Sequence, residues 1–271
     1  MLRFTFRLFL IALVAMIVGI GGLATAKRLQ TGSWSMPDRD DVAWLRHIID
    51  RDDAPPRVIF LNREDLAVKG GFDEAHANHT QLLERGVTRT VPGFSGSDRQ
   101  WRRVVRCVQS KFAAFDVTIT DRRPSGDDYV MVHVGGTPSD LYGRKRRGMG
   151  GVAPFNGDVI ADSIVFAFSD TLKNKLDAVC HTVAHEIGHV YGLDHSYRCG
   201  DIMTYLQGCG KKRFVDAHVR CGEKRRRDCD HGSVTQNSHE TLYRILGPRK
   251  RSDESAASAK KSARKRRGKS K

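Results

Sequence analysis

The sequence contains His185-Glu186-Ile187-Gly188-His189-Val190-Tyr191-Gly192-Leu193-Asp194-His195, which has the form H-E-x-x-H-x-x-G-x-x-H. Residues four apart lie on one face of an α-helix, so His185 and His189 can direct imidazole nitrogens toward one metal ion. Glu186 lies beside the same position, where its carboxylate can take a proton from water and pass it to a leaving amine. The first five residues therefore predict a helix with two metal ligands and a general acid/base.

The second half of the stretch predicts how the chain leaves the helix. Gly192 can adopt the left-handed conformation that ends a helix and turns the backbone, and His195 then supplies a third ligand. Three protein ligands leave the fourth position of a zinc ion for water, whose pKa falls to about 7, as in catalytic rather than structural sites. His181, four residues before His185, is an alternative ligand; we interpret it instead as a neighbour in the cleft or a surface histidine.

A methionine, Met203, follows His195 by eight residues within the sequence Asp201-Ile202-Met203-Thr204-Tyr205. Together with the eleven-residue motif, it resembles the metzincin clan of zinc endopeptidases. The resemblance implies one catalytic zinc ion, cleavage of protein or peptide substrates, and a turn in which Met203 supports the histidines from beneath the metal. The stretch from Gly192 to Ser196 is matrixin-like, whereas the M-x-Y turn is similar to that of astacins and serralysins.

Tyr205 has two open interpretations. In astacins and serralysins the tyrosine of this turn reaches the zinc, so the resemblance implies that its hydroxyl can stabilise charge that develops in the transition state. The alternative is ordinary packing. Matrixin zymogens are held inactive by a propeptide cysteine, and we expect no such device here because no cysteine precedes Cys107. The sequence does not decide which metzincin family the chain resembles most, or whether it depends on calcium.

The order of predicted elements indicates an α+β fold with a twisted mixed sheet. We expect a helix directly after the first strand, capped by Ser97 or Asp98 and carrying apolar residues at helical spacing. Apolar or alternating stretches predict the strands. The candidates are residues 57–61, 117–120, 129–134, an edge strand near 152–155, and 162–168.

Two further helices complete the metzincin-like order. Ser169 or Asp170 is expected to cap the motif helix, whose apolar residues fall opposite the two histidines. Ser238 is expected to begin a terminal helix that Gly247 ends. Residues 55–247 are therefore predicted to form a metzincin-like zinc peptidase domain, with an active-site helix, a Met-turn and a C-terminal helix.

The first residues predict export. Arg3 and Arg7 precede an apolar run that ends in small residues suited to a signal peptidase. Residues 1–26 are thus predicted to be a signal peptide, with an uncleaved membrane anchor as the alternative. Residues 27–54 are polar and are expected to pack on the domain or to serve as a short propeptide. The predicted location is secreted or in the cell envelope.

The six cysteines are even in number, which in an oxidising compartment predicts three disulfides. Several connectivities are possible, and we favour pairs that close short loops or join two helices. A second zinc site is the alternative, but the four C-terminal cysteines contain no C-x2-C pair. The hypothesis pairs Cys199 with Cys209, Cys221 with Cys229, and Cys107 with Cys180.

The net charge of +15 is concentrated at the C-terminus. Residues 248–271 carry eleven Lys and Arg against two acidic residues and contain no aromatic residue. This composition predicts a disordered basic tail that could bind an anionic surface or a polyanion. We expect no specific nucleic acid partner, because no aromatic residues interleave with the basic ones for base stacking. The oligomeric state is open.

Two classes of function are compatible with these patterns. One is a secreted zinc endopeptidase; the other is a non-catalytic binding protein that keeps the metzincin frame and attaches to anionic surfaces through its tail. Glu186 favours the enzyme, since a frame that has lost catalysis is expected to lose its acid/base residue or a ligand. The substrate sequence depends on folded loops and is not predicted.

Overall fold

The computed structural model describes residues 55–143, 148–230 and 232–249. The predicted signal peptide or anchor, the polar segment 27–54 and the tail beyond Arg249 lie outside the described residues. The described part is a mixed α+β structure with a mixed sheet, as predicted for the fold class.

A five-stranded sheet lies at the centre of the described chain. Its strands are β1 (Val58–Asn62), β5 (Thr118–Thr120), β6 (Val130–Val134), β7 (Gly151–Val152) and β8 (Ile164–Ala167). The order is β5-β1-β6-β8-β7, and all neighbours are parallel except β7, which runs antiparallel to β8 at the edge. Every residue of β6 is buried, as expected for a central strand covered on both faces.

A smaller sheet occupies the chain between β1 and the first helix. It consists of β2 (Leu66–Gly70), β3 (His79–Thr80) and β4 (Thr88–Val91), in the order β3-β2-β4. Its buried side chains Leu66 and Val68 share an apolar cluster with Met131 and Phe166 of the central sheet. The prediction that a helix directly follows β1 was therefore wrong, because strands of only five, two and four residues give little periodicity to read from the sequence.

The opposite face of the central sheet is covered by α1 (Asp98–Lys111) and α3 (Leu176–Val190). Ser97 caps α1 as predicted, and Gln100 returns the bond to the Ser97 backbone in a capping box. A short helix, α2 (Pro138–Tyr142), follows β6. Successive side chains of a strand alternate between faces, so the central sheet has one apolar cluster beneath the two long helices and another beneath the smaller sheet.

The start of α3 differs from the prediction. Neither Ser169 nor Asp170 caps it; the helix begins after Lys175. Lys173 and Asn174 have φ angles of 53° and 50°. A left-handed backbone at two successive residues cannot continue a right-handed helix, so the preceding residues form turns instead.

The terminal helix, α4 (Ser238–Leu246), ends at Gly247 as predicted. Its N-cap is Asn237, whose side chain accepts a hydrogen bond from the Glu240 amide. Pro248 continues into an isolated bridge with Phe115. The end of the described chain is thus attached to the segment that follows α1.

The three predicted disulfides are confirmed: Cys107–Cys180, Cys199–Cys209 and Cys221–Cys229. The first joins α1 to α3, and the other two close short loops after α3. Such bonds are typical of an extracellular or otherwise oxidising environment. Among the described residues, no helix has the length and apolar character needed to cross a membrane.

Candidate metal centre

The motif helix α3 places two histidines and a glutamate against the edge of the central sheet. His185, Glu186 and His189 are each less than a tenth exposed. The edge strand β7 lies close to this helix, since a Cβ added to Gly151 would be 2.5 Å from Glu186 Oε1. Glycine at this position therefore lets the strand approach the carboxylate.

The exit from α3 requires glycine, as the sequence predicts. Gly192 has a φ angle of 77°, and a Cβ there would lie 2.6 Å from the Gly157 carbonyl oxygen. The Leu193 amide donates a hydrogen bond to the Gly188 carbonyl, which folds the chain back toward the helix. This turn brings His195 to the other two histidines.

The ligand nitrogens of His185, His189 and His195 all lie within 4.8 Å of one another, so the structure brings together the three residues that the motif predicts. Each ring uses Nδ1 for another contact. His185 Nδ1 lies 3.0 Å from the Ile202 carbonyl oxygen, and His189 Nδ1 lies 2.8 Å from that of Leu193. His195 Nδ1 lies 2.5 Å from a carboxylate oxygen of Glu223.

These contacts determine which nitrogens are free to bind a metal. A carbonyl oxygen only accepts hydrogen bonds, so the neutral rings of His185 and His189 carry their protons on Nδ1 and their lone pairs on Nε2. The two Nε2 atoms are 3.1 Å apart. Lone pairs at this distance repel unless a cation lies between them. The three imidazoles could therefore hold a metal ion that accepts nitrogen ligands.

Burial controls the protonation of this cluster. Loss of water lowers the pKa of His185 well below its usual value and that of His189 to about 4, so both imidazoles are neutral, the form that binds metals. Burial raises the pKa of Glu186 to about 8. A carboxyl group that exchanges its proton near neutral pH suits acid/base catalysis, and a nearby cation would favour its ionised form.

Met203 lies directly beneath the motif helix. It is fully buried, and a Cβ added to Gly188 would clash with its sulfur atom. Its amide donates to Asp201 Oδ1, and its carbonyl accepts from the Ser196 amide at 2.9 Å. Met203 thus packs under the helix between its two histidines and is tied to the residue that follows the third.

Tyr205 lies at the open side of the three histidines. Its ring centroid is 4.5 Å from that of His195 and 5.6 Å from that of His185, and the residue is 53% exposed. Burial of part of the ring and the nearby carboxylates of Glu186 and Glu223 raise the pKa of Tyr205. Its hydroxyl therefore keeps its proton at neutral pH and can act as a hydrogen-bond donor, and Tyr205 lines the cleft.

The three histidines open into a cleft of about 640 Å³. Its lining includes Gly151 and Val152 of β7 together with Thr204, Tyr205 and Lys212. His181 also lines the cleft but is not part of the three-histidine cluster, which agrees with its interpretation as a neighbour. 

The tertiary structure places Phe155 in the cleft and His133 in the core. The Phe155 ring meets His189 edge to face at 5.2 Å and forms part of the cleft. His133 is buried in β6, with ring nitrogens 3.2 Å from Asn62 Nδ2 and 3.0 Å from the Pro92 carbonyl oxygen. These contacts hold His133 in the core, away from the three histidines.

Glu223, Arg227 and Asp194 are the site residues that the motif does not reveal. Glu223 contacts His195, and Arg227 joins Glu223 to the buried carboxylate of Asp194. The only signal in the sequence is that a charged loop lies between Cys221 and Cys229. Spacing alone could not connect this loop to a histidine 28 residues earlier.

The described domain is thus an α+β domain with a cleft centred on three histidines that could hold a metal ion. The chain matches no protein-family model, and no curated protein matches it. The geometry of the cleft itself therefore has to indicate the function.

Proposed function

We propose that the protein is a metzincin-like zinc endopeptidase. One observation carries the proposal: the ligand nitrogens of three histidines lie within 4.8 Å of one another in an open cleft, and the buried carboxyl group of Glu186 lies beside them. A structural zinc site is normally closed by four protein ligands, whereas a catalytic site keeps one position open. Met203 beneath the helix and the glycine turn at Gly192 support the resemblance to metzincins.

The residues of the cleft have separate tasks in peptide hydrolysis. A zinc ion held by the three histidines would supply Lewis-acid activation of water and of the peptide carbonyl. Glu186 would accept a proton from the attacking water and deliver it to the leaving amine. Tyr205 would donate a hydrogen bond to the oxygen that becomes negative in the transition state.

The edge strand β7 supports an extended peptide as the substrate. β7 is the last strand of its sheet, and both of its residues line the cleft. An extended peptide can add to such an edge through main-chain hydrogen bonds, which hold its backbone independently of its sequence. This placement would bring a peptide bond past Glu186, which lies next to Gly151. An edge strand beside Glu186 therefore favours an endopeptidase over a small-molecule hydrolase.

Removal of the metal tests the proposal directly. We expect 1,10-phenanthroline to abolish cleavage of casein. After the chelator has been removed, one equivalent of Zn²⁺ should restore cleavage. Ca²⁺ and Mg²⁺ should not restore cleavage, because these ions prefer oxygen ligands over the three imidazoles. The measurement is the initial rate of casein hydrolysis against added metal. Cleavage that persists in protein shown to be metal-free would contradict the proposal.

Tyr205→Phe distinguishes the two interpretations of this residue. The change removes only the hydroxyl, and we expect kcat to fall about 100-fold because one donor to the developing charge is lost. KM and zinc affinity should stay close to the wild-type values, since the ring still packs against His195. Steady-state kinetics on a peptide substrate provide the measurement. An unchanged kcat would leave Tyr205 with a packing role alone.

A further inference from the structure

His195 differs from the other two histidines in what holds its ring. His185 and His189 are oriented by backbone carbonyl oxygens close to the motif helix. His195 Nδ1 instead contacts Oε1 of Glu223, a side chain 28 residues away, at 2.5 Å. His195 lies beyond the end of α3, so the helix backbone does not fix its ring as it does the rings of His185 and His189. The contact with Glu223 is therefore important for the orientation of the His195 ring.

Glu223 is itself held by a charge network in which Arg227 is partly buried and Asp194 is fully buried. Arg227 Nη2 donates to Glu223 Oε1 at 2.8 Å and to Asp194 Oδ1 at 2.8 Å, while Nη1 donates to Asp194 Oδ2 at 2.5 Å. The Asp194 side chain is 1% exposed and also accepts hydrogen bonds from the amides of His195 and Asp230. The guanidinium thus links the residue before the third histidine to the carboxylate that contacts its ring.

The backbone joins the same two segments. The Gly222 amide donates to the His195 carbonyl at 2.9 Å, and Ser196 forms a bridge with Cys221. The Cys221–Cys229 disulfide closes the loop that carries both Glu223 and Arg227. This loop is therefore fixed against the third histidine by backbone, side-chain and covalent contacts.

We propose that Glu223 is a positioning residue for the third metal ligand and that Arg227 holds it in place through Asp194. The inference rests on the proposed metal centre. With its Nδ1 proton donated to Glu223, the His195 ring presents the Nε2 lone pair to the point where His185 and His189 meet. A carboxylate in this position also makes the imidazole a stronger ligand, and loss of such a contact typically weakens metal binding about 10- to 100-fold.

Zinc affinity of the full chain tests this role without using activity as the readout. We expect Glu223→Ala to raise the zinc dissociation constant about 10- to 100-fold in competition with a chromophoric chelator. Glu223→Gln keeps an oxygen that can accept from Nδ1 but loses the charge, so its dissociation constant should lie between those of the wild type and Glu223→Ala.

Glu240→Ala is the matched control. Glu240 also pairs with a histidine, His218, at 3.1 Å, but this pair lies on the exposed surface of α4 and outside the cluster. Its removal should leave zinc affinity unchanged. If Glu223→Ala binds zinc as tightly as Glu240→Ala does, the positioning role is overturned. If the wild-type protein binds no zinc, the proposed function itself fails.

Thermal unfolding separates positioning from general stability. The Glu223 side chain is 39% exposed, so Glu223→Ala should change the Tm of the metal-free protein little. The rise in Tm on adding zinc should be smaller than in the wild type, because stabilisation by a ligand follows its affinity. A large fall in the metal-free Tm with an unchanged response to zinc would overturn the proposal. Glu223→Gln provides the same comparison if the alanine variant fails to fold.

Discussion

Replacing Glu186 with Gln is expected to lower kcat for peptide hydrolysis about 10²- to 10⁴-fold, the contribution typical of a general acid/base. The amide has nearly the size of the carboxyl group but cannot take a proton from water. Glu186 is 6% exposed and packs beside Gly151, so a residue of similar size is needed to preserve the wall of the cleft. Steady-state kinetics on a peptide substrate, together with the zinc content of the purified variant, provide the measurements.

The zinc content decides what a loss of activity means. Glu186 does not belong to the cluster of candidate metal ligands, which are all histidines. Glu186→Gln should therefore bind zinc with the wild-type stoichiometry. Glu240→Gln, on the exposed surface of α4, is a control for removing one negative charge and should keep full activity. Equal cleavage by the wild type and Glu186→Gln would refute the assignment of acid/base chemistry. If the Glu186→Gln protein has lost its zinc, its low activity does not report on proton transfer. Glu186→Asp is then the variant that tests this role.

Of the three disulfides, Cys107–Cys180 is the one whose loss is expected to lower the free energy of unfolding most. The bond joins α1 to α3 across a sequence separation of 73 residues. In the chain-entropy model, opening a loop of this length lowers the free energy of unfolding by about 4 kcal/mol. Cys107→Ala/Cys180→Ala is the suitable variant because Cys180 is fully buried, and alanine adds no buried polar group. Urea unfolding provides the measurement.

The short Cys199–Cys209 loop is the matched comparison. Its sequence separation is only 10 residues, so the double alanine variant should lose about 2.5 kcal/mol by the same model. Both variants remove one disulfide and two sulfur atoms, and they differ mainly in the length of the loop that is released. An equal or larger loss for the short loop would contradict the entropic explanation.

Much of the helical framework follows from local sequence. Ser97 and Gln100 form a capping box because their spacing matches the first turn of a helix, whatever the rest of the chain does. His185 and His189 share a face for the same reason, and Gly192 turns the chain because only glycine adopts that backbone at low cost. These features depend on residues close together in the chain.

Other parts of the fold depend on competition between local signals. Ser169 and Asp170 are good capping residues, yet the helix begins after Lys175. The left-handed backbone at Asn174 and the preceding residue overrides the local preference, because it cannot continue into a right-handed helix. The small sheet was missed for a related reason, since its strands are short and only their buried residues meet the central sheet.

Local sequence was enough to identify the three histidines, the acid/base candidate and the two short-loop disulfides, because helical periodicity and short loop closures act over a few residues. The three-dimensional cleft, the contact of Met203 with Gly188 and the network from Asp194 through Arg227 to Glu223 were decided only by the tertiary structure. These contacts join residues far apart in the chain. Their energies depend on burial and on the distance between charges, and folding creates both.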